Sequence, residues 1–67
     1  MQDQPIRLIR LKEVMSMTGL SHSYVYQLIG QGYFPQSISL GARAVAWVQS
    51  EVQQWIDSRV ERFRQRA

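Results

Sequence analysis

Apolar and polar residues alternate with three different rhythms along this chain, and each rhythm predicts a different kind of element. Ile6-Arg7-Leu8-Ile9-Arg10 is short, apolar and partly β-branched, which predicts a short strand or extended lead-in. Leu11, Val14, Met15 and Thr18 then recur at helical spacing, and Gly19 is expected to stop that helix in the left-handed conformation. A second helix is announced by Ser21, whose hydroxyl suits the amides of Ser23 or Tyr24, and by Leu20, placed to staple onto Val25. Val25, Leu28 and Ile29 form its apolar stripe. Gly30 and Gly32 are expected to close it, and Pro35 blocks continuation. Two short helices joined by a tight Gly19-Leu20 turn have the sequence form of a helix-turn-helix, here over residues 11–30.

The period then changes. Ser37-Ile38-Ser39-Leu40 and Arg43-Ala44-Val45-Ala46-Trp47 alternate about a Gly41-Ala42 turn, which predicts a β-hairpin over 37–47. Ser50 and Gln53 have capping-box spacing, with Glu51 well placed in the first turn, so a third helix is expected over 50–65. Val52, Trp55, Ile56, Val60 and Phe63 fall on one of its faces. Residues 1–5 carry no pattern and are expected to be disordered. Strand, helix, turn, helix, hairpin, helix is the order of a winged helix: mostly α with a small β-hairpin, in a single domain spanning 1–67.

Composition narrows the function. The chain has 67 residues, 45% of them hydrophobic, which is enough for one small core held without help from disulfides. With no cysteine, one histidine and five scattered carboxylates, neither a catalytic triad nor a metal site is expected. Gly30-Gln31-Gly32 follows a helix instead of opening one, so no nucleotide cofactor is implied. No apolar run approaches the roughly 20 residues that span a bilayer, and the N-terminus lacks signal-peptide character. A cytoplasmic, non-enzymatic binding module without a small-molecule ligand is the expectation. Eight basic against five acidic residues give a net charge of +3, suited to a polyanion, though ordinary for solubility alone. Their placement says more. Between Glu13 and Arg43 no residue carries a formal charge, and four of the seven arginines cluster from Arg59 to Arg66.

Leu11-Lys12-Glu13-Val14, Thr18-Gly19-Leu20-Ser21, Tyr26-Gln27-Leu28-Ile29 and Gly32-Tyr33-Phe34-Pro35 resemble the AlpA-type prophage regulators. Leu40-Gly41-Ala42-Arg43-Ala44-Val45, Trp47, Ser50-Glu51-Val52 and Trp55-Ile56 continue the resemblance in one register. The family is similar to MerR-like winged-helix domains and to phage excisionases. The resemblance implies a DNA-binding protein of a prophage or integrative element, acting on transcription of integrase or excision genes or as an architectural factor in excision. Family members commonly carry basic residues on the outer face of the second helix. Here the matching positions are His22, Gln27 and Gly30, so that helix is uncharged.

On this reading the partner is double-stranded DNA, and the second helix enters the major groove. His22, Ser23, Tyr26 and Gln27 lie off the apolar stripe, Gln27 suits the N6/N7 edge of adenine, and Ser23 and the hydroxyls of Tyr24 and Tyr26 suit phosphates. Arg43 at the hairpin tip is expected at the flanking minor groove or its phosphates, and Arg10 and Lys12 at the backbone near the first helix. Each residue also has a plainer reading. His22 fits an exposed cap region, Tyr24 the edge of the core, the arginine-rich C-terminus a solvated helix end, and Tyr33, Phe34, Trp47 and Trp55 the core. A short reading head alone covers little DNA, so self-association on tandem sites is expected. The competing reading is a protein-interaction adaptor on the same scaffold, favoured by the uncharged second helix and by the apolar stripe running on to Val60 and Phe63.

Overall fold

The computed structural model describes residues 6–66, so the expected disorder of residues 1–5 lies outside the described residues. The elements run β1 (Leu8–Ile9), α1 (Leu11–Thr18), α2 (His22–Gln31), β2 (Ile38–Gly41), β3 (Ala44–Val48) and α3 (Gln49–Arg66). This is the expected winged helix-turn-helix order. The lead-in strand is shorter than Ile6–Arg10 because only Leu8 and Ile9 find partners, opposite Val48 and Trp47. That pairing makes the wing a three-stranded sheet in the order β1-β3-β2, with β3 at its centre.

The helix ends follow from local chemistry. Thr18 donates its hydroxyl to the Val14 carbonyl (2.8 Å) and accepts from the Leu20 amide (3.2 Å), while Gly19 turns left-handed at φ 76°. Ser21 caps α2 by accepting the Tyr24 amide at 3.2 Å. Gly30 does not end α2. The helix runs through it to Gln31, and Gly32 alone takes the left-handed cap, at φ 82°. There the Gly32 amide bonds the Ile29 carbonyl and the Tyr33 amide the Leu28 carbonyl, the paired C-terminal bonds that need a residue free of a Cβ penalty.

Two further expectations are corrected. The hairpin turn is Ala42-Arg43, one residue later than Gly41-Ala42, because Gly41 still pairs with Ala44 and the register slips between Ser39 and Gly41. The Ser50–Gln53 capping box does not form. α3 begins at Gln49, whose amide donates to the Arg7 carbonyl at 2.8 Å, so Ser50 is already inside the helix. Gln53 turns the other way and donates to Asp57 Oδ1 at 3.0 Å.

The core is Ile9, Val14, Val25, Leu28, Phe34, Trp47 and Val52, one or two residues from nearly every element. Trp47 is fully buried, as expected, and its Nε1 donates to the Pro35 carbonyl at 3.1 Å, which fixes the loop between α2 and the wing. Trp55 is only half-buried. It packs edge-on against Phe34, 4.8 Å between centroids, and its Nε1 reaches the Tyr33 carbonyl. Tyr33 itself stays outside the core, because the backbone after Gly32 spends Phe34, and not its neighbour, on the interior.

The two tryptophans therefore differ in weight. Trp47→Ala is expected to cost about 3–5 kcal/mol and abolish the cooperative thermal transition. Trp55→Phe keeps an aromatic ring against Phe34 but loses the pyrrole half of the indole and one hydrogen bond, so a transition lowered by about 1–2 kcal/mol should survive. Circular dichroism melts of both variants check the ranking.

Candidate nucleic-acid interface

α2 buries Val25 and Leu28 and therefore turns His22, Ser23, Gln27 and Gly30 outward. Ser23, Gln27 and Gly30 form the ridge opposite the buried stripe. Gly30 belongs to this ridge and not to the helix end, and its spacing from Ser23 and Gln27 is the signal in the sequence that puts it there. A Cβ at Gly30 would meet no atom within 4 Å, so nothing inside the protein requires glycine at this position.

His22 and Tyr26 occupy the flank of α2 that faces the wing. Their rings lie 5.1 Å apart, and Tyr26 in turn meets Trp47 edge-on at 6.2 Å. This row of rings ties the rotation of α2 to the central wing strand, which no local pattern in the sequence specifies. Tyr24 goes to the other flank. Half-exposed, it lines a groove with Trp55 and Phe63 and stands apart from the His22–Gln27 surface with which it was grouped by sequence position. The Ser21 cap serves the Tyr24 amide, whereas the amides of His22 and Ser23 have no acceptor within the helix, as in any first turn.

The wing tip carries the most unusual backbone. Arg43 adopts φ 66° and is the one residue other than glycine with positive φ among the described residues. An L-residue in that region costs about 1–2 kcal/mol, a conformation that tends to persist where it serves a site. Arg43 is exposed, flanked by Gly41, Ala42 and Ala44, and forms no ion pair among the described residues. β2 beside it is exposed along its whole length, so the tip of the hairpin stands clear of the core that β3 enters through Trp47.

Arg10 and Lys12 are both exposed at the start of α1. Arg10 is the N-cap residue, and its carbonyl receives the amides of Glu13 and Val14 at 3.0 Å each, while its side chain makes no cap bond. Two cations at the positive end of a helix dipole oppose local stability. Glu13 offsets part of that and is engaged by Arg7 at 3.8 Å, a solvent-exposed pair worth under about 1 kcal/mol. Among the described residues no group of histidines and carboxylates is placed to hold a metal ion, and no helix is long and apolar enough to cross a membrane.

Comparison with known proteins adds to this geometry. The family described as prophage CP4-57 regulatory protein (AlpA) matches residues 7–60. Uncharacterized protein ORF88 of Enterobacteria phage P4 is 48% identical over 54 residues, covering 81% of this chain and 61% of that protein. DNA-binding transcriptional activator AlpA of Escherichia coli (strain K12) is 27% identical over 60 residues, covering 81% of this chain and 86% of its own length. The chain thus spans less than two thirds of the phage P4 relative and most of the other.

The backbone at these two exposed positions makes a stability prediction. Gly30→Ala should raise stability by about 0.5–1 kcal/mol, because a helix-interior glycine with open space around it gains from a methyl group. Arg43→Gly should leave the thermal midpoint equal to or above the parent's, since relief of the positive φ offsets the added chain entropy. A lowered midpoint in either variant would contradict the backbone geometry described.

Proposed function

The chain belongs to the prophage CP4-57 regulatory protein (AlpA) family, and on that premise we propose that it regulates a prophage or integrative element by binding double-stranded DNA. The family is one of regulators, not enzymes. The observation that carries the reading is Arg43, a long cation held at strained φ on the tip of a projecting hairpin with small residues on both sides. Such a tip enters a groove or lies along phosphates without steric cost, and the strain is retained because the guanidinium is needed at that spot.

The N-terminal end of α2 approaches the major groove. Gln27 offers a bidentate amide to an adenine edge, with Ser23 beside it for a phosphate and His22 and Tyr26 filling the side towards the wing. The free amides of the first turn of α2 attract a phosphate in place of the side-chain charges this helix lacks. Arg10 and Lys12 meet the backbone near α1, where the dipole penalty for two cations is offset by phosphate contact. Tyr24 is left out of this interface. Copies bind side by side on tandem sites, since one such head covers little DNA. The target is either the promoter of an integrase or excision gene or an attachment site bound in the manner of an excisionase. Footprinting on DNA flanking the gene distinguishes a promoter from tandem repeats at an attachment site.

One observation favours a second reading. Val60 and Phe63 are exposed on α3, as expected of an adaptor that binds protein through this scaffold. An adaptor shows no sequence-dependent retention on DNA even at low salt, whereas DNA binding through phosphates weakens steeply as salt rises.

Two substitutions test the assigned contacts. Arg43→Ala should weaken binding to all sequences and reduce the magnitude of the salt slope by about one if Arg43 meets phosphate. A loss concentrated on sites with an A·T-rich flank places it in the minor groove instead. Gln27→Ala should cost about 1–3 kcal/mol on the specific site and almost nothing on a scrambled duplex. Fluorescence-anisotropy titrations over a salt series measure both, and an Arg43→Ala curve that overlays the parent's would remove the wing from the interface.

A further inference from the structure

α3 is longer than the core it serves. Val52 is fully buried, and Trp55 and Ile56 are half-buried, but Val60 is 42% and Phe63 66% exposed although both continue the same stripe. Trp55, Ile56, Val60 and Phe63 line a groove of about 300 Å³ whose opposite wall is formed by the end of α1 and by Tyr24 and Leu28 of α2. An exposed ring standing beside an apolar groove is a knob next to a hole. Two copies satisfy both at once through a two-fold axis, each Phe63 entering the other's groove, as an isologous contact requires.

Charge selects the direction of that pairing. Asp57 and Arg64 lie on the same flank of α3, two turns apart, and line one hollow together with Val60 and Glu61. They are placed symmetrically about the point between Val60 and Glu61; Asp57 accepts from Gln53 through Oδ1 only, and Glu61 lies one turn before Arg64 on its own helix. An antiparallel partner centred there brings Asp57 of each copy to Arg64 of the other, giving two equivalent ion pairs beside the apolar seam. On the groove side, Arg59 is held by its own chain, with its guanidinium 4.7 Å from the centre of the Trp55 ring. We infer that the C-terminal half of α3, with the groove it shares with α2, is the surface on which a second copy of this chain docks, antiparallel and in this register. The inference rests on the α3 face alone and goes beyond the proposed function, since a two-fold pair presents its heads to inverted repeats and is a different contact from the side-by-side one on tandem sites. A test without DNA therefore fails or succeeds independently of DNA binding.

Sedimentation equilibrium of the 67-residue protein from about 10 µM to about 1 mM tests it. The parent should form a reversible dimer. Phe63→Ser should weaken it about tenfold or more, and Asp57→Arg or Arg64→Asp about fivefold or more. The double charge exchange Asp57→Arg/Arg64→Asp should recover most of the loss, which no general effect on folding would do. Far-UV circular dichroism should show all four variants folded, since these side chains are exposed. A parent that stays monomeric over the whole range, a Phe63→Ser variant that dimerises as the parent does, or a double exchange no tighter than the single changes would overturn the proposal.

Discussion

Everything in this small domain converges on the indole of Trp47. It sits on the central strand of the sheet, opposite Ile9 of β1, and is fully buried. Its one polar atom is satisfied by the Pro35 carbonyl, so the ring is held in orientation as well as in depth. Its edge then meets Tyr26 on α2. A single side chain thereby fixes the lead-in strand, the loop that follows α2, and the rotation of α2 itself. Trp55 of α3 holds the same loop from its other side, through Phe34 and the Tyr33 carbonyl.

That coupling matters because the two halves of the proposed DNA interface are built on different elements. The ridge of Ser23, Gln27 and Gly30 belongs to α2, and Arg43 belongs to the hairpin whose second strand carries Trp47. Both must meet one rigid duplex, so their mutual placement needs to be set before binding. The row His22, Tyr26, Trp47 supplies a mechanical connection between them. The ridge of α2 carries no formal charge, which leaves electrostatic attraction to the periphery: Arg43 on one element, Arg10 and Lys12 on another. In the proposed interface, that arrangement puts the phosphate contacts and the base contacts on different elements.

The third helix has two roles along its length. Its first half closes the core through Val52 and receives the edge contact of Phe34 on Trp55. Its second half contributes nothing to that core and instead presents Phe63 beside the groove lined by Tyr24. The placement of Tyr24 follows the same division: one turn of α2 carries Tyr26 to the wing side and Tyr24 to the α3 side. Two tyrosines only two positions apart consequently face different surfaces, Tyr26 the wing and Tyr24 the groove beside α3.

Element types and their order are legible in the chain alone, because hydrophobic period, Ser21 as a cap and glycines as stops are local properties. Val25 and Leu28 likewise mark the buried face of α2, but not which of its flanks meets the wing. Where two local signals compete, or the partner is distant in sequence, packing makes the choice. Gly30 and Gly32 offer the same local stop, and the bonds from the Gly32 and Tyr33 amides back to Ile29 and Leu28 close the helix at the later one. The Ser50–Gln53 spacing satisfies a capping rule, yet the Arg7 carbonyl took the Gln49 amide and started α3 earlier. The turn moved to Ala42-Arg43 because the register of β2 on β3 shifts after Ser39. Tyr33 and Phe34 are adjacent and similar in apolar bulk, and which one is buried depended on the path of the loop between Gly32 and the wing. The exposed surface left over from all these choices, including the strained tip at Arg43 and the open groove beside Phe63, is a remainder of packing. No local pattern encodes it, because it is defined by what the rest of the chain does not cover.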